Sequence, residues 1–160
     1  MTIEELLAYE EIRRLRAAYS AHLDAQDLDR LVDLFCEDAV CAYPEDFGGD
    51  WVGRQAIRDN FAGVMPAIGS AFDAIHVVTN PWIELTGDDT ATGRWYLLDL
   101  LTRQQAGTGA MTTRGGHQVP LLYLGIYEDE YRKVDGAWKF SRIALHTLWP
   151  DRIYEALEHH

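Results

Sequence analysis

Basic residues and cysteines are scarce in this chain. Fourteen Lys and Arg stand against 26 Asp and Glu in 160 residues, a formal charge of −12. So acidic a chain is a poor partner for nucleic acid, whose phosphates need a basic surface. The two cysteines, Cys36 and Cys41, lie five apart. That is neither a CxxC redox pair nor a zinc spacing, so they read as partly buried free thiols in a reducing compartment. No apolar run approaches the roughly 20 residues that span a bilayer, so no membrane partner is expected. The opening Met1-Thr2-Ile3-Glu4-Glu5 is acidic and lacks the apolar stretch of a secretory leader, which points to the cytoplasm. Several chemical motifs are also missing. There is no GxGxxG after a strand, no phosphate-binding loop, no HxH or HExxH, and no GxSxG. Nucleotide cofactors, a metal centre and a serine nucleophile are therefore not expected. A metal set of His76, His146 and Asp24 is conceivable but has no supporting spacing.

What is present is enough apolar residue, 48%, for one ordinary core. The last four residues, Leu157 to His160, read as a vector-derived tag remnant, which leaves a single domain over 1–156 and four native histidines, His22, His76, His117 and His146. No repeat or low-complexity tract interrupts it. Ile12, Leu15, Tyr19 and Leu23 recur at helical spacing and predict a helix from about Ile3 to Leu23. Asp27 is placed to cap a second helix with the stripe Leu28, Leu31, Val32 and Phe35. A short strand from Ala39 to Tyr43 ends at Pro44. A third helix runs from about Arg54 to Met65, stopped by Pro66.

The period then changes. Strands are predicted over Ala74–Leu85, Thr90–Thr102, Val119–Val134 and Ala137–Leu148. Pro81 marks a bulge or an edge, and Asp135-Gly136 a hairpin turn. Gln104 to Gly116, with four glycines and three threonines, reads as a long loop that could close over a site. Helices followed by antiparallel strands predict an α+β fold, with helices packed on one face of a curved sheet.

The order of certain residues resembles a known family. The sequence has Tyr19, Asp24 and Asp27, followed by Leu34-Phe35-x-Glu37-Asp38-Ala39-Val40. Gly53-Arg54-x-Ala56-Ile57 comes next, and then His76 and Asn80 on a strand. Gly125-x-Tyr127-x-Asp129-x-Tyr131 precedes Asp135-Gly136-x-Trp138-Lys139-Phe140. Together these resemble the SnoaL-like branch of the NTF2-like (cystatin-like) superfamily, over nearly the whole chain. The resemblance implies a cone: a strongly bent, mostly antiparallel sheet wrapped around N-terminal helices, with an internal pocket. It implies no chemistry by itself.

Within that superfamily, scytalone dehydratase, bile acid 7α-dehydratase and lindane dehydrochlorinase resemble one another in using an Asp–His pair to abstract a proton. The corresponding residues here are Asp24 and His76, with Tyr19 where the bile acid enzyme has a tyrosine. A carboxylate fixes the histidine tautomer and stabilises the imidazolium. Tyr19 and Asp24 are five apart, about 140° around a helix, so the model requires the helix to end near Leu23. Phe140, Arg142, Ala144 and His146 alternate onto one face of the last strand. If that face lines the pocket, Arg142 and His146 contact substrate. Tyr43, Phe72, Trp82, Tyr96 and Tyr123 are candidate aromatic lining.

The expected activity is a cofactor-free lyase, dehydratase-like, acting on a small apolar ring compound. One alternative is a non-catalytic domain that binds a hydrophobic small molecule, or an assembly protein like a dioxygenase small subunit. A polyketide- or steroid-type isomerase is a second alternative, disfavoured because no pair of pocket carboxylates is found on the later strands. Arg94 and Asp99 do not match, in strand parity, the Asp-Arg-Asp set of the epoxide hydrolase branch. The resemblance also implies a homo-oligomer, a trimer rather than a dimer.

Overall fold

Thr2 and Glu5 begin the first helix by a reciprocal capping box: each side chain accepts from the other's backbone amide, so two orphan donors are satisfied. The computed structural model describes residues 1–45, 48–65, 74–101 and 121–149. Helix α1 spans Ile3–Asp24 and buries Ala8, Ile12, Leu15, Arg16, Tyr19, Ser20 and Leu23. Asp27 caps α2, Leu28–Asp33, by accepting from the Arg30 amide. Helix α3 is Arg54–Val64, with Ile57 and Phe61 buried.

Six strands form one open, curved sheet: β1 Phe35–Ala42, β2 Asp50–Val52, β3 Ala74–Gly87, β4 Thr90–Leu101, β5 Leu121–Val134 and β6 Ala137–Trp149. Their order is β2-β1-β6-β5-β4-β3. All neighbours are antiparallel except β1 and β6. The helices fill the concave side, and the core runs from Ile12 and Tyr19 through Phe35 and Phe61 to Tyr131 and Phe140. This is the cone that the resemblance implies.

Two boundaries differ from the sequence reading. Phe35 ends no helix; it begins β1, four residues earlier than predicted. The neighbouring Leu34 carbonyl accepts from the Phe140 amide and the Phe35 carbonyl from Arg54. Tertiary pairing with β6 thus overrides the helical stripe. Strand β2, three residues long, was not foreseen, because so short a run carries no period. The hairpin turn at Asp135-Gly136 is as predicted, with both residues at positive φ. Residues 102–120, which include the glycine-rich loop, lie outside the described residues, as do Phe72, Pro66 and 150–160.

Among the register shifts of the sheet, two decide which side chains of β3 and β6 face the cavity. On β3, Thr79 pairs with Tyr96 and Trp82 with Arg94, so Asn80 and Pro81 together oppose one residue. Asn80 takes a left-handed φ of 52° there, a conformation asparagine tolerates. Between β5 and β6, Tyr131 pairs with Phe140 but Glu130 with Arg142, so Ser141 is the extra residue. Each bulge reverses the in–out alternation beyond it.

Candidate active site

The concave face of the sheet lines a cavity of about 220 Å³. Strand register builds its wall in rows. His76 pairs with Asp99 and Asp99 with Tyr123. One row over, Leu97 pairs with Gly125 and Gly125 with Thr147; from the third row, Trp95, Tyr127 and Leu145, only the last two reach the cavity. The helical side supplies Tyr19, Leu23, Phe61 and Val64; Tyr43, just past β1, and Trp51 of β2 complete it. Polar groups are few and apolar ones many, as expected of a small-molecule pocket.

Helix α1 does end where the model requires. Asp24 is its final residue and Ala25 the C-cap, so the Asp24 carboxylate is free of the helical face that carries Tyr19. It meets His76 Nδ1 at 2.6 Å and accepts from the His76 backbone amide at 3.3 Å. His76 is 10% exposed and Asp24 24%. A carboxylate at Nδ1 selects the Nδ1–H tautomer and puts the lone pair on Nε2. Nε2 lies 3.8 Å from Asp99 Oδ2. Burial raises the Asp99 carboxyl above the ordinary range and Asp24 adds to this, while His76 works against it.

At the helical end of the cavity the hydroxyls of Tyr19 and Tyr43 are hydrogen-bonded at 2.9 Å. Burial pushes both phenols well above their usual value. They remain neutral; one O–H is spent in this bond, and the other can donate to a ligand oxygen.

Tyr19, Tyr43, His76 and Tyr123 therefore lie together as read from the sequence. Trp82, Tyr96, Arg142 and His146 do not line this cavity. They stand on the convex face, with Glu84, Arg94 and Glu128 as neighbours in a surface groove. The bulges explain two reversals. Pro81 turns Trp82 outward, where it is 68% exposed. Ser141 puts Phe140 inside but Arg142 and His146 outside, with Leu145 and Thr147 taking the inner face. Tyr96 is outward because Trp95, Leu97 and Asp99 hold the inner positions of β4. His146 pairs with Glu128 at 3.2 Å; it is across the sheet from His76, so the two cannot share a metal.

Two carboxylates on later strands were missed. Asp99 lines the cavity, and Asp129 is fully buried against Arg16. The signal was the alternation Trp95-Leu97-Asp99 and Tyr127-Asp129-Tyr131, in which a carboxylate shares a face with large apolar side chains. Only Asp99 lines the cavity, so the pair of pocket carboxylates sought for an isomerase is not found among the described residues.

The model of the SnoaL-like domain matches residues 4–144. The chain belongs to the SnoaL-like domain family. Among solved structures of similar fold is a protein given the provisional name scytalone dehydratase, from Novosphingobium aromaticivorans. It is 30% identical at a TM-score of 0.71, over 92% of this chain and 88% of that one. The hexachlorocyclohexane dehydrochlorinase of Novosphingobium barchaimii is 22% identical at a TM-score of 0.70, over 96% and 94%. An NTF2-like protein with a cystatin-like fold, also from Novosphingobium aromaticivorans, is 24% identical at 0.72, over 98% and 92%. The SnoaL-like family and the cystatin-like cone are thus those that the sequence motifs resemble.

Proposed function

We propose that this SnoaL-like protein is a cofactor-free lyase that eliminates water or a similar leaving group from a small, mostly apolar ring compound. The observation that carries it is the 2.6 Å Asp24–His76 contact, with His76 on the wall of a mostly apolar cavity. The cavity is below the roughly 300–1,000 Å³ of drug-sized pockets, which suits one or two fused rings. His76 Nε2 takes a proton from the carbon next to an activating group. The C–H electron pair becomes the new C=C bond, and the β-substituent departs with its own bonding pair. Asp99, held toward its protonated form by burial, supplies the proton that turns a leaving hydroxide into water. The hydrogen-bonded Tyr19–Tyr43 pair donates its remaining O–H to the activating oxygen as negative charge gathers on it. The names borne by the Novosphingobium relatives, dehydratase and dehydrochlorinase, favour the same reaction class.

The test is a panel of cyclic β-hydroxy ketones and halocycloalkanes, with formation of the double bond followed spectroscopically. Asp24→Asn and His76→Gln are expected to lower turnover by roughly 10²–10⁴-fold, the ordinary worth of a positioned base. Panel members that bind but survive unchanged would instead identify a binding domain. A second reading is favoured by Asp99: with no leaving group present, His76 could return its proton to a different carbon of the enolate, an isomerisation. Deuterium from solvent appearing in unreacted or shifted substrate identifies that course. We further propose that the chain assembles as a trimer, as the family resemblance implies; light scattering of the intact protein tests it.

A further inference from the structure

Arg16 is completely buried at the base of the cone, and no step above uses it. An arginine so placed is costly to desolvate, so its surroundings need an explanation. One neighbour is Asp129, with Oδ2 3.5 Å from Nη1. Asp129 in turn accepts from the Tyr131 hydroxyl at 2.7 Å, and that hydroxyl accepts from Trp95 Nε1 at 2.9 Å. The ion pair is therefore anchored through β5 to β4. The rest of the company is aromatic. The guanidinium carbon sits 3.5 Å from the Tyr127 ring centroid and 4.5 Å from that of Tyr19. Both rings line the cavity. The titratable groups around Arg16 are Asp129, Tyr127, Tyr19, Tyr131 and Cys41.

We propose that Arg16 is an electrostatic positioning residue: acting through the rings of Tyr19 and Tyr127, it tunes the cavity to hold an oxygen bearing negative charge, of enolate or phenolate type, against the Tyr19–Tyr43 hydroxyls. This rests on the reading of the cavity as the ligand site with the tyrosines as oxygen donors. A cation over a phenol ring draws electron density from it and makes its O–H a stronger donor. In a site without water such a contact acts at several times its aqueous strength. The charge is permanent, because a guanidinium is not deprotonated in proteins and Asp129 stands beside it. Asp129 sets how much of that field reaches the rings.

The probe is 4-nitrophenol, titrated against the intact protein by the absorbance of its phenolate. The wild type is expected to bind the phenolate in preference to the neutral phenol. Arg16→Met is expected to weaken phenolate binding about tenfold, within the range of a desolvated cation–π contact, and to leave neutral phenol binding nearly unchanged. Asp129→Asn, which removes the counter-charge and leaves the cation, is expected to strengthen phenolate binding. Those opposite signs are the signature, since a purely structural pair would move both variants the same way. Equal phenolate binding in all three proteins, or weakening in both variants, overturns the proposal. If Arg16→Met does not fold, Asp129→Asn decides alone, because its predicted change is a gain. Loss of the probe in Tyr19→Phe and Tyr43→Phe with no response to Arg16 leaves the cavity reading standing and this inference refuted. An Arg16 response without turnover of any ring substrate does the reverse to the lyase.

Discussion

His76 is held at Nδ1 by a carboxylate from another element, 52 residues earlier in the chain. The arrangement predicts a tautomer as well as an activity. Nitrogen-15 NMR of the wild type should show His76 as the Nδ1–H form, and Asp24→Asn, whose amide can donate as well as accept, should mix the two tautomers while the fold persists. A single unchanged tautomer in Asp24→Asn would sink the dyad. The convex-face residues make the contrasting case. Arg142→Ala and His146→Ala should leave ligand binding within about twofold of wild type, whereas Tyr43→Phe, which removes one donor to a charged oxygen, should cost on the order of 10²-fold in turnover. Isothermal titration and steady-state rates on the same ligand distinguish the two groups. The dyad was legible in the sequence because it recurs as a pair in a family pattern. Asp99 was not, because only its cross-strand pairing with His76 gives it meaning, and pairing is a property of register.

At the scale of the elements, the sequence reading found every helix and every long strand among the described residues, and marked Pro81 as a bulge or an edge. Its errors cluster where alternation is interrupted. Arg142 and His146 share parity with Phe140 in the sequence, yet Ser141 is accommodated as an extra residue and the parity reverses. Nothing in Lys139-Phe140-Ser141-Arg142 announces this; the bulge is set by how β6 meets β5 on one side and β1 on the other. Trp82 fails the same way across Asn80-Pro81. A different element-scale constraint acts at Gly93. A Cβ there would lie 2.8 Å from the Tyr131 ring and hydroxyl and 3.0 Å from Trp95 Nε1. Those atoms are buried and hydrogen-bonded to each other, so they cannot swing aside. Gly93→Ala should therefore destabilise the fold by roughly 1–3 kcal/mol, the usual cost of overpacking, measured as a lower denaturant midpoint with an unchanged slope.

For the molecule as a whole, the buried carboxyls shape the response to pH. Burial pushes Asp129 up to about 6, with Arg16 and the Tyr131 hydroxyl pulling the other way; unfolded, it returns to the ordinary aspartate range near 3.9. Between those values the folded chain holds a proton that the unfolded chain releases. This contribution to stability is therefore fully present below about pH 4 and lost as pH rises through about 6. Asp129→Asn imitates the protonated form. The stability of wild type relative to this variant should fall from pH 4 to pH 7, as chemical denaturation across that range would reveal, and a flat difference would contradict the assignment. Among the described residues no helix is long and apolar enough to cross a membrane. The two bulges have a wider consequence. Each works like a shift of reading frame: deleting Pro81 or Ser141 would remove the bulge and leave the facing unchanged, whereas straightening the strand with that residue kept in the ladder would turn every side chain beyond it through the sheet. Trp82 or Arg142 and His146 would then enter the cavity, and the present lining would leave it. Ironing out one bulge, with its residue kept, could thus exchange a whole set of ligand contacts without touching the helices, giving this scaffold a short mutational route from one ligand to another.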